Sequence, residues 1–503
     1  MTATDTVAPP RLRRPFVLAS VMLSMFMIAI EATIVSTAMP QIVGQLGGLT
    51  LYAWVFSAFL LAQTATTVVF GKLADLYGRR PVMLVGIAIF LLGSLLCGFA
   101  TGMVALIVFR LVQGIGAGAI QPIALTVVGD LYSVQERGKI QGFLASVWGI
   151  SSVLGPLAGG LIISQLSWAW IFWINIPVGL LAAAGFTLFL RENISAERRR
   201  VDVAGALLFT VSVTALMLAL TEAGSAGSGT VAIALAVFLG SALLFIWQEA
   251  RAPDPMLDIR LWSLRPVATS NLATLLSGMV MIGLTTFLPI YVQAVLGRSP
   301  LVAGFALTMM VLGWPIGATV SARNFARFGL RNTLLTGAVL LPVGAAIFPI
   351  LSPGASPVLA GLGSTVVGLG MGVFSTSAIV MVQESVGWTQ RGAATAANVF
   401  SRNLGSTLGA AALGLVLNLS LRHAGPNGEA VDAERIRALL DQPAAGVAGD
   451  GGPAATAVDP VVQAALAQGL HLTFWAVFAV AALTLVVATL VPSVAIKARA
   501  AAE

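Results

Sequence analysis

The sequence predicts an all-α, polytopic membrane protein with fourteen transmembrane helices, and three observations carry that prediction. The first is composition. Of 503 residues, 58% are hydrophobic and only 9% charged, with a mean hydropathy of +0.95, whereas a soluble domain carries about 25% charged residues. Such a chain cannot cover its own surface with water-loving groups. The second is the recurrence of apolar runs of about 20 residues, the length that crosses a bilayer as a helix. The third is the placement of basic residues, which crowd into alternate gaps between those runs.

In chain order, the first run covers 15–40, behind the basic RLRR at 11–14. At roughly 24 residues it exceeds the apolar core of a signal peptide, about 7–15 residues, and is read as an uncleaved span. Runs at 52–72, 81–100, 102–129, 140–165 and 168–190 follow over short links and complete a block of six. Two runs, 203–222 and 230–248, stand apart between charged linkers at 191–202 and 249–265. A second block of six follows at 266–296, 300–322, 332–351, 355–383, 392–419 and 466–492. The organisation is then a tail (1–14), a six-helix bundle (15–190), linkers with an extra helix pair (191–265), a second six-helix bundle (266–492) and a tail (493–503). The longest connection, 420–465, contains AVDAERIRALLDQ, read as a short amphipathic helix, and a Gly/Ala/Pro-rich stretch. Asp459 and Pro460 offer an N-cap and an N1 proline for the last span.

An even number of spans places both termini on one side. Of the 27 basic residues, Arg298, Arg422, Arg435 and Arg437 fall on the opposite side and Arg110 and Arg402 inside spans. All the others fall on the side of the termini, which the positive-inside rule makes cytoplasmic. The net charge of +7 is therefore a topology signal, and nucleic-acid binding is not needed to explain it. A single cysteine, Cys97, and two histidines, His423 and His471, leave little for disulfide, thiol or histidine-metal chemistry. GIGAG (114–118) and GLGMG (368–372) lie inside apolar runs and read as close-packing helix faces. No GxxxxGK[ST] occurs, which speaks against ATP as a driving force. Only three lysines (Lys72, Lys139, Lys497) stand among many arginines, a bias that accords with a GC-rich bacterial genome.

Two six-helix blocks suggest a duplicated transporter whose halves rock about a central site. A trace of the repeat survives after the second span of each block. GKLADLYGRR (71–80) aligns with ARNFARFGLR (322–331), so that Gly78 matches Gly329 and Arg80 matches Arg331, while Asp75 becomes Ala326.

Within the first span, FMIAIEATIVSTAMP (26–40) carries one acid, Glu31. An ionisable group in a span costs about 2.5–3.5 kcal/mol on insertion scales and is a functional hypothesis by default. Glu222 and Glu384 fall near span ends, where solvation accounts for them. Span 1 runs outward and Glu31 precedes Pro40 by nine residues; span 4 runs inward and Arg110 follows Thr101 by nine. At 1.5 Å per residue both lie roughly 13 Å below the external boundary. Two opposite charges at one depth meet if the fold brings spans 1 and 4 together. A static buried ion pair that fixes packing is the alternative reading.

Several motifs carry a family resemblance. GKLADLYGRRP (71–81) resembles the loop motif between spans 2 and 3 of the major facilitator superfamily, with Gly71 for close helix approach, Gly78 for a tight turn and Asp75, Arg79 and Arg80 as its charges. LIVFRLVQGIGAGA (106–119) is similar to the span-4 motif built on an arginine followed by Gln-Gly. Gly142, Ser151, Gly155, Pro156 and Gly159 resemble the span-5 antiporter motif, with Ser151 where the pattern prefers glycine. AIEATIVSTAMP (29–40) resembles span 1 of the fourteen-span drug:proton antiporters of the EmrB/QacA type, in which aspartate stands at the position of Glu31. WAWIFWINIPVG (168–179), LPIYVQAVLGRSPLVAG (288–304) and RGAATAANVFSRNLGSTLGAA (391–411) extend the resemblance over nearly the whole chain.

The resemblance implies a major facilitator fold in which spans 1 and 4 do adjoin, and a proton-coupled multidrug efflux antiporter, not an enzyme, of a bacterial inner membrane. Its partners would be protons, small amphipathic or cationic substrates and the lipid bilayer, with the proton gradient in place of any cofactor or metal and no nucleic acid; a monomer is the expected state. Glu31 would carry the proton with Arg110 as modulator. Gly71, Asp75, Gly78, Arg79, Arg80, Asp130 and Arg137 would form a cytoplasmic gate, and the Gly155–Pro156 bend would limit leak. Gln63, Gln113 and Arg402 are candidates for the substrate cavity, although each polar residue in a span, Asn175 and Gln383 among them, equally suits an interhelical hydrogen bond. For Arg402, packing against backbone carbonyls is an equal alternative. Open alternatives are an exporter of a lipid, siderophore or metabolite, and a non-transporting receptor or enzyme on the same fold.

Overall fold

The computed structural model describes residues 13–47, 51–192, 202–222, 228–252, 259–298, 300–352, 354–421 and 460–494. Among them, fourteen helices are long and apolar enough to cross a membrane. In lipid every backbone polar group needs a partner inside its own segment, so isolated apolar runs of this length must be helices. The spans of the first block are α1 (Arg14–Leu46), α2 (Tyr52–Tyr77), α3 (Arg79–Gly98), α4 (Met103–Leu131) and α5 (Val134–Gln165), with the sixth divided at Ile174 into α6 (Trp170–Trp173) and α7 (Asn175–Phe189). The inserted pair is α8 (Val203–Glu222) and α9 (Ser228–Glu249), closed by Asp202, whose Oδ1 accepts the Gly205 N–H at 2.9 Å and the Gln248 amide at 3.0 Å. A short α10 (Ile259–Ser263) leads to α11 (Arg265–Ile290), α12 (Pro300–Ala345), α13 (Pro357–Glu384), α14 (Arg391–Leu421) and α15 (Pro460–Thr489). The amphipathic helix expected at 430–442 and the N-cap expected at Asp459 lie outside the described residues.

Two compact units divide the chain. One takes it as far as Ala268 together with Ile379–Phe400, so that the end of α13 and the start of α14 pack with the first block; the other takes Thr269–Ala378 and Ser401–Ser493. In the first unit, two apolar clusters share α1, beside a smaller one around Leu261 and Val382. α1 gives Met25, Met27 and Ile28 to one, with Phe59, Phe90 and Phe186, and Ile30, Ile34 and Val35 to the other, with Leu106 and Phe172. Glu31 stands where the two clusters meet on α1.

The segment 71–81, read from the sequence as a loop, is a loop at one residue only. Hydropathy ends span 2 at Lys72, yet the helix continues to Tyr77 and the next begins at Arg79. Charges stop a hydropathy window but not a helix whose charges find partners. Gly78 makes the turn at φ +95°, a left-handed conformation in which a Cβ is disfavoured. Its counterpart Gly329 does the same at φ +78°, between the two spans of α12. The parallel extends to the matched arginines. Arg80 donates to the Thr187 carbonyl at 2.8 Å in the last turn of α7, and Arg331 donates to Thr489 at 3.1 Å and Val491 at 2.7 Å at the end of α15. In each block an arginine opening the third span caps the sixth, where the carbonyl end of a helix favours a cation.

Candidate functional site

Glu31 is fully buried and Arg110 is 1% exposed. Arg110 Nη1 donates to Glu31 Oε1 at 2.5 Å and to Gln113 Oε1 at 2.7 Å. Arg110 Nε donates to the Val55 carbonyl at 3.1 Å, and the guanidinium lies 4.4 Å from the centre of the Phe59 ring. Gln113 Nε2 donates to Ser94 Oγ at 2.7 Å. The second carboxylate oxygen, Glu31 Oε2, accepts from Asn175 Nδ2 at 2.5 Å. The result is one buried chain of hydrogen bonds, Ser94–Gln113–Arg110–Glu31–Asn175, drawn from α1, α3, α4 and α7. Gln113, a cavity candidate from the sequence, belongs to this chain instead, with both ends of its amide engaged. Ser94 and Val55 carried no sequence signal, and Asn175 was one of several indistinguishable polar residues.

Chemically the arrangement does two things. It holds a carboxylate against a cation in an apolar setting, where attraction is strong and desolvation expensive. It also gives Arg110 partners that remain if Glu31 becomes neutral: the Gln113 oxygen, the Val55 carbonyl and the Phe59 face. Nearby, Thr33 Oγ1 donates to the Ser151 carbonyl at 3.0 Å, joining α1 to α5 two residues from Glu31. A Cβ on Gly155 would run into Thr33 and one on Gly159 would press on Thr37 and Ile34, so these glycines set the α1–α5 approach. α5 stays helical through Gly142, Gly155 and Pro156.

A second, charged cluster gathers the motif between α2 and α3. Asp75 pairs with Arg79 at 3.0 Å and accepts the N–H groups of Gly392 at 2.9 Å and Ala393 at 2.7 Å, the first turn of α14. A carboxylate is favoured there because those N–H groups have no partner within the helix. Arg79, fully buried, also meets Asp130 at 3.1 Å, donates to the Trp388 carbonyl at 2.9 Å and lies 4.1 Å from the Trp388 ring centre. Arg391 pairs with Asp130 at 2.8 Å and Arg137 with Glu384 at 2.8 Å. Glu384 is a correction to the sequence reading. It is not solvated at a span end but buried, because Arg137, 247 positions away, and Arg391, just beyond the span, converge on it. Gln383 bonds the Leu125 carbonyl at 3.2 Å and Thr395 at 3.2 Å. Gly71 and Gly392 face each other at this crossing. A Cβ on Gly71 would overlap Ala396 and the Gly392 carbonyl, and one on Gly392 would overlap Asp75. Glu192, missed from the sequence, caps α3 by accepting the N–H groups of Arg79 at 3.1 Å and Arg80 at 2.9 Å.

Among the described residues, the remaining candidates bond to neither cluster. Gln63 is buried on α2, its carbonyl accepting the Thr67 hydroxyl at 2.7 Å. Arg402 is partly buried in α14, with no charged neighbour among the described residues.

Residues 21–410 match the sequence model of the Major Facilitator Superfamily. The chain belongs to this superfamily. The multidrug transporter protein MdtP of Bacillus subtilis is 34% identical over 409 residues, 81% of this chain and 76% of MdtP. Multidrug resistance protein 3 of the same organism is 35% identical over 415 residues, 82% of this chain and 81% of the relative. The efflux pump FUS6 of Gibberella fujikuroi is 32% identical over 440 residues, 84% of this chain and 78% of the pump. Among solved structures, the human organic anion transporter MFSD10 superposes with a TM-score of 0.61 at 17% identity, covering 94% of this chain and 100% of its own. The proton:xylose symporter XylE gives 0.61 at 12% identity, covering 95% and 96%. At those identities the structures establish the fold. Family and fold together make this a multi-pass membrane transporter.

Proposed function

We propose that the chain is a proton-coupled multidrug efflux antiporter, working by alternating access in a bacterial cytoplasmic membrane with both termini inside. Export of several compounds rests on relatives named as multidrug transporters and efflux pumps. Proton coupling rests on one observation, the buried Glu31–Arg110 pair whose arginine keeps other partners when the acid is neutral. A proton arriving from outside neutralises Glu31 and releases the ion pair; reformation of the pair returns the proton inside. One charge moved through about 100 mV supplies roughly 2.3 kcal/mol, enough for an approximately fifty-fold gradient at about 1.4 kcal/mol per decade. A single such acid implies one or two protons per cycle. In this reading Asp75, Arg79, Asp130, Arg137 and their α13–α14 partners latch the cytoplasmic side, the substrates are amphipathic and often cationic, and Gln63 and Arg402 are the candidates for contact with them.

The test is a dye and drug efflux panel in a pump-deficient host and in vesicles, comparing the wild type with Glu31→Gln. Efflux should require a proton gradient, and Glu31→Gln should abolish it. Unchanged transport by Glu31→Gln sinks the coupling assignment. Wild-type export confined to one lipid or metabolite replaces the multidrug reading with that of a dedicated exporter.

A further inference from the structure

We propose that Asn175 is a two-way partner for Glu31, donating to the ionised carboxylate and, with its amide turned over, accepting from the protonated acid. The inference rests on Glu31 being the proton carrier. Two observations support it. Asn175 Nδ2 donates to Glu31 Oε2 at 2.5 Å, with both residues buried. Asn175 Oδ1, the other end of the same amide, is buried without a hydrogen-bond partner among the described residues.

The chemistry of the acid explains why that unpaired oxygen matters. An ionised carboxylate only accepts, while a protonated one must also place an O–H. Oε1 faces Arg110, a donor that offers no acceptor, so the proton belongs on Oε2. There it would confront the Asn175 N–H, donor against donor. A half-turn about the terminal torsion exchanges Nδ2 and Oδ1, which are nearly equal in size, and presents an acceptor in the same space. The rotation makes and breaks no covalent bond: the proton sits on Oε2, Oε2–H donates to Oδ1, and Nδ2 takes the position that Oδ1 left. Gln113, also within hydrogen-bonding reach of Glu31, already has its oxygen engaged by Arg110 and its nitrogen by Ser94, so Asn175 is the amide with an unengaged end. Among the described residues, the titratable groups facing Glu31 are Arg110 on α4 and Cys97 on α3. α5, also packed on α1, presents Thr33's partner Ser151 and the glycines 155 and 159. Asn175 is thus a positioning residue whose amide serves both charge states.

The test is the pH profile of proton-driven dye transport in proteoliposomes for the wild type, Asn175→Leu, Asn175→Gln and Glu31→Gln. A partner of both states stabilises both, so Asn175→Leu should lower the maximal rate by about tenfold or more while moving the midpoint by less than about half a unit. Asn175→Gln, which keeps the amide, should restore most of the rate. A fixed donor would behave otherwise: Asn175→Leu would shift the midpoint upward by about one unit or more with the rate preserved, and that result overturns the proposal. pH-induced infrared difference spectra provide a readout that does not require turnover. The carboxylic C=O band lost in Glu31→Gln should shift to higher frequency in Asn175→Leu, which removes the acceptor of Oε2–H while Oε1 keeps Arg110; an unmoved band overturns the proposal. If Glu31→Gln transports normally, the underlying coupling assignment fails instead, whatever Asn175 does.

Discussion

Arg110 and Glu31 approach to 2.5 Å although 79 positions separate them in the chain, and neither is accessible to solvent. Removing one member of a buried pair strands the other, at a cost of about 3–5 kcal/mol, whereas removing both leaves no orphan charge. Arg110→Met should therefore lower the melting temperature sharply, and the double variant Glu31→Gln/Arg110→Met should melt above the Arg110→Met single variant. Tryptophan-fluorescence melts in detergent measure this. Additive losses would mean that the pair is not coupled.

Asp75 joins three donors at once, Arg79 and the N–H groups of Gly392 and Ala393. Asp75→Asn keeps the shape and loses the charge that faces both the guanidinium and the helix terminus. If the contact is the latch, its opening should become easier by about 1.4 kcal/mol, or roughly tenfold. With Cys97→Ala as background, a thiol reporter placed by Ala393→Cys should be labelled from the cytoplasmic side about that much faster in Asp75→Asn.

Gly71 is where α2 comes too close to α14 for any side chain. Gly71→Val must force the helices apart, and overpacking of this kind costs about 1–3 kcal/mol. Transport should fall while the protein still reaches the membrane. Gly102→Ala, at a glycine with open space around it, should transport like the wild type.

What the sequence reveals, and what it hides, follows from the range of the interactions. Span number and order are local properties of hydropathy, and they match helix for helix. Gly78 and Gly329 were legible because a tight turn needs a left-handed residue and the repeat supplies the same answer twice. The meeting of Glu31 and Arg110 was legible as equal depth, because a helix converts residue count into distance. Asn175 was not, since nothing in WINIP distinguishes an amide aimed at Glu31 from one aimed at a backbone carbonyl. Glu384 was misread for the same reason: its burial depends on Arg137, 247 positions away. Asp75 lay within a helix that charge alone had seemed to end.

Glu192 lies beyond the end of α7, and burial pushes its carboxyl above the usual range, against the lowering by the Arg80 and Arg79 N–H groups. A folded-state pKa above the unfolded value means that the stabilising contribution is complete below the unfolded pKa. It is lost as the pH rises through the folded one. Glu192→Gln cannot titrate. The melting temperature of the variant relative to the wild type should therefore rise as the pH is raised from about 4 into the neutral range. A constant difference across that range would show that the carboxyl titrates alike in both states.

Arg402 carries its charge within α14 with no charged neighbour among the described residues. Such a cation costs about 2.5–3.5 kcal/mol in a span and persists where function requires it. Arg402→Gln should accordingly raise the melting temperature and reduce transport, the pattern of a residue kept at the expense of stability. Melting curves set beside uptake of cationic and anionic dyes measure both halves of the prediction. The charge class whose transport falls more identifies the substrates Arg402 serves. A variant that lost stability and transport together would instead place Arg402 in the packing of α14.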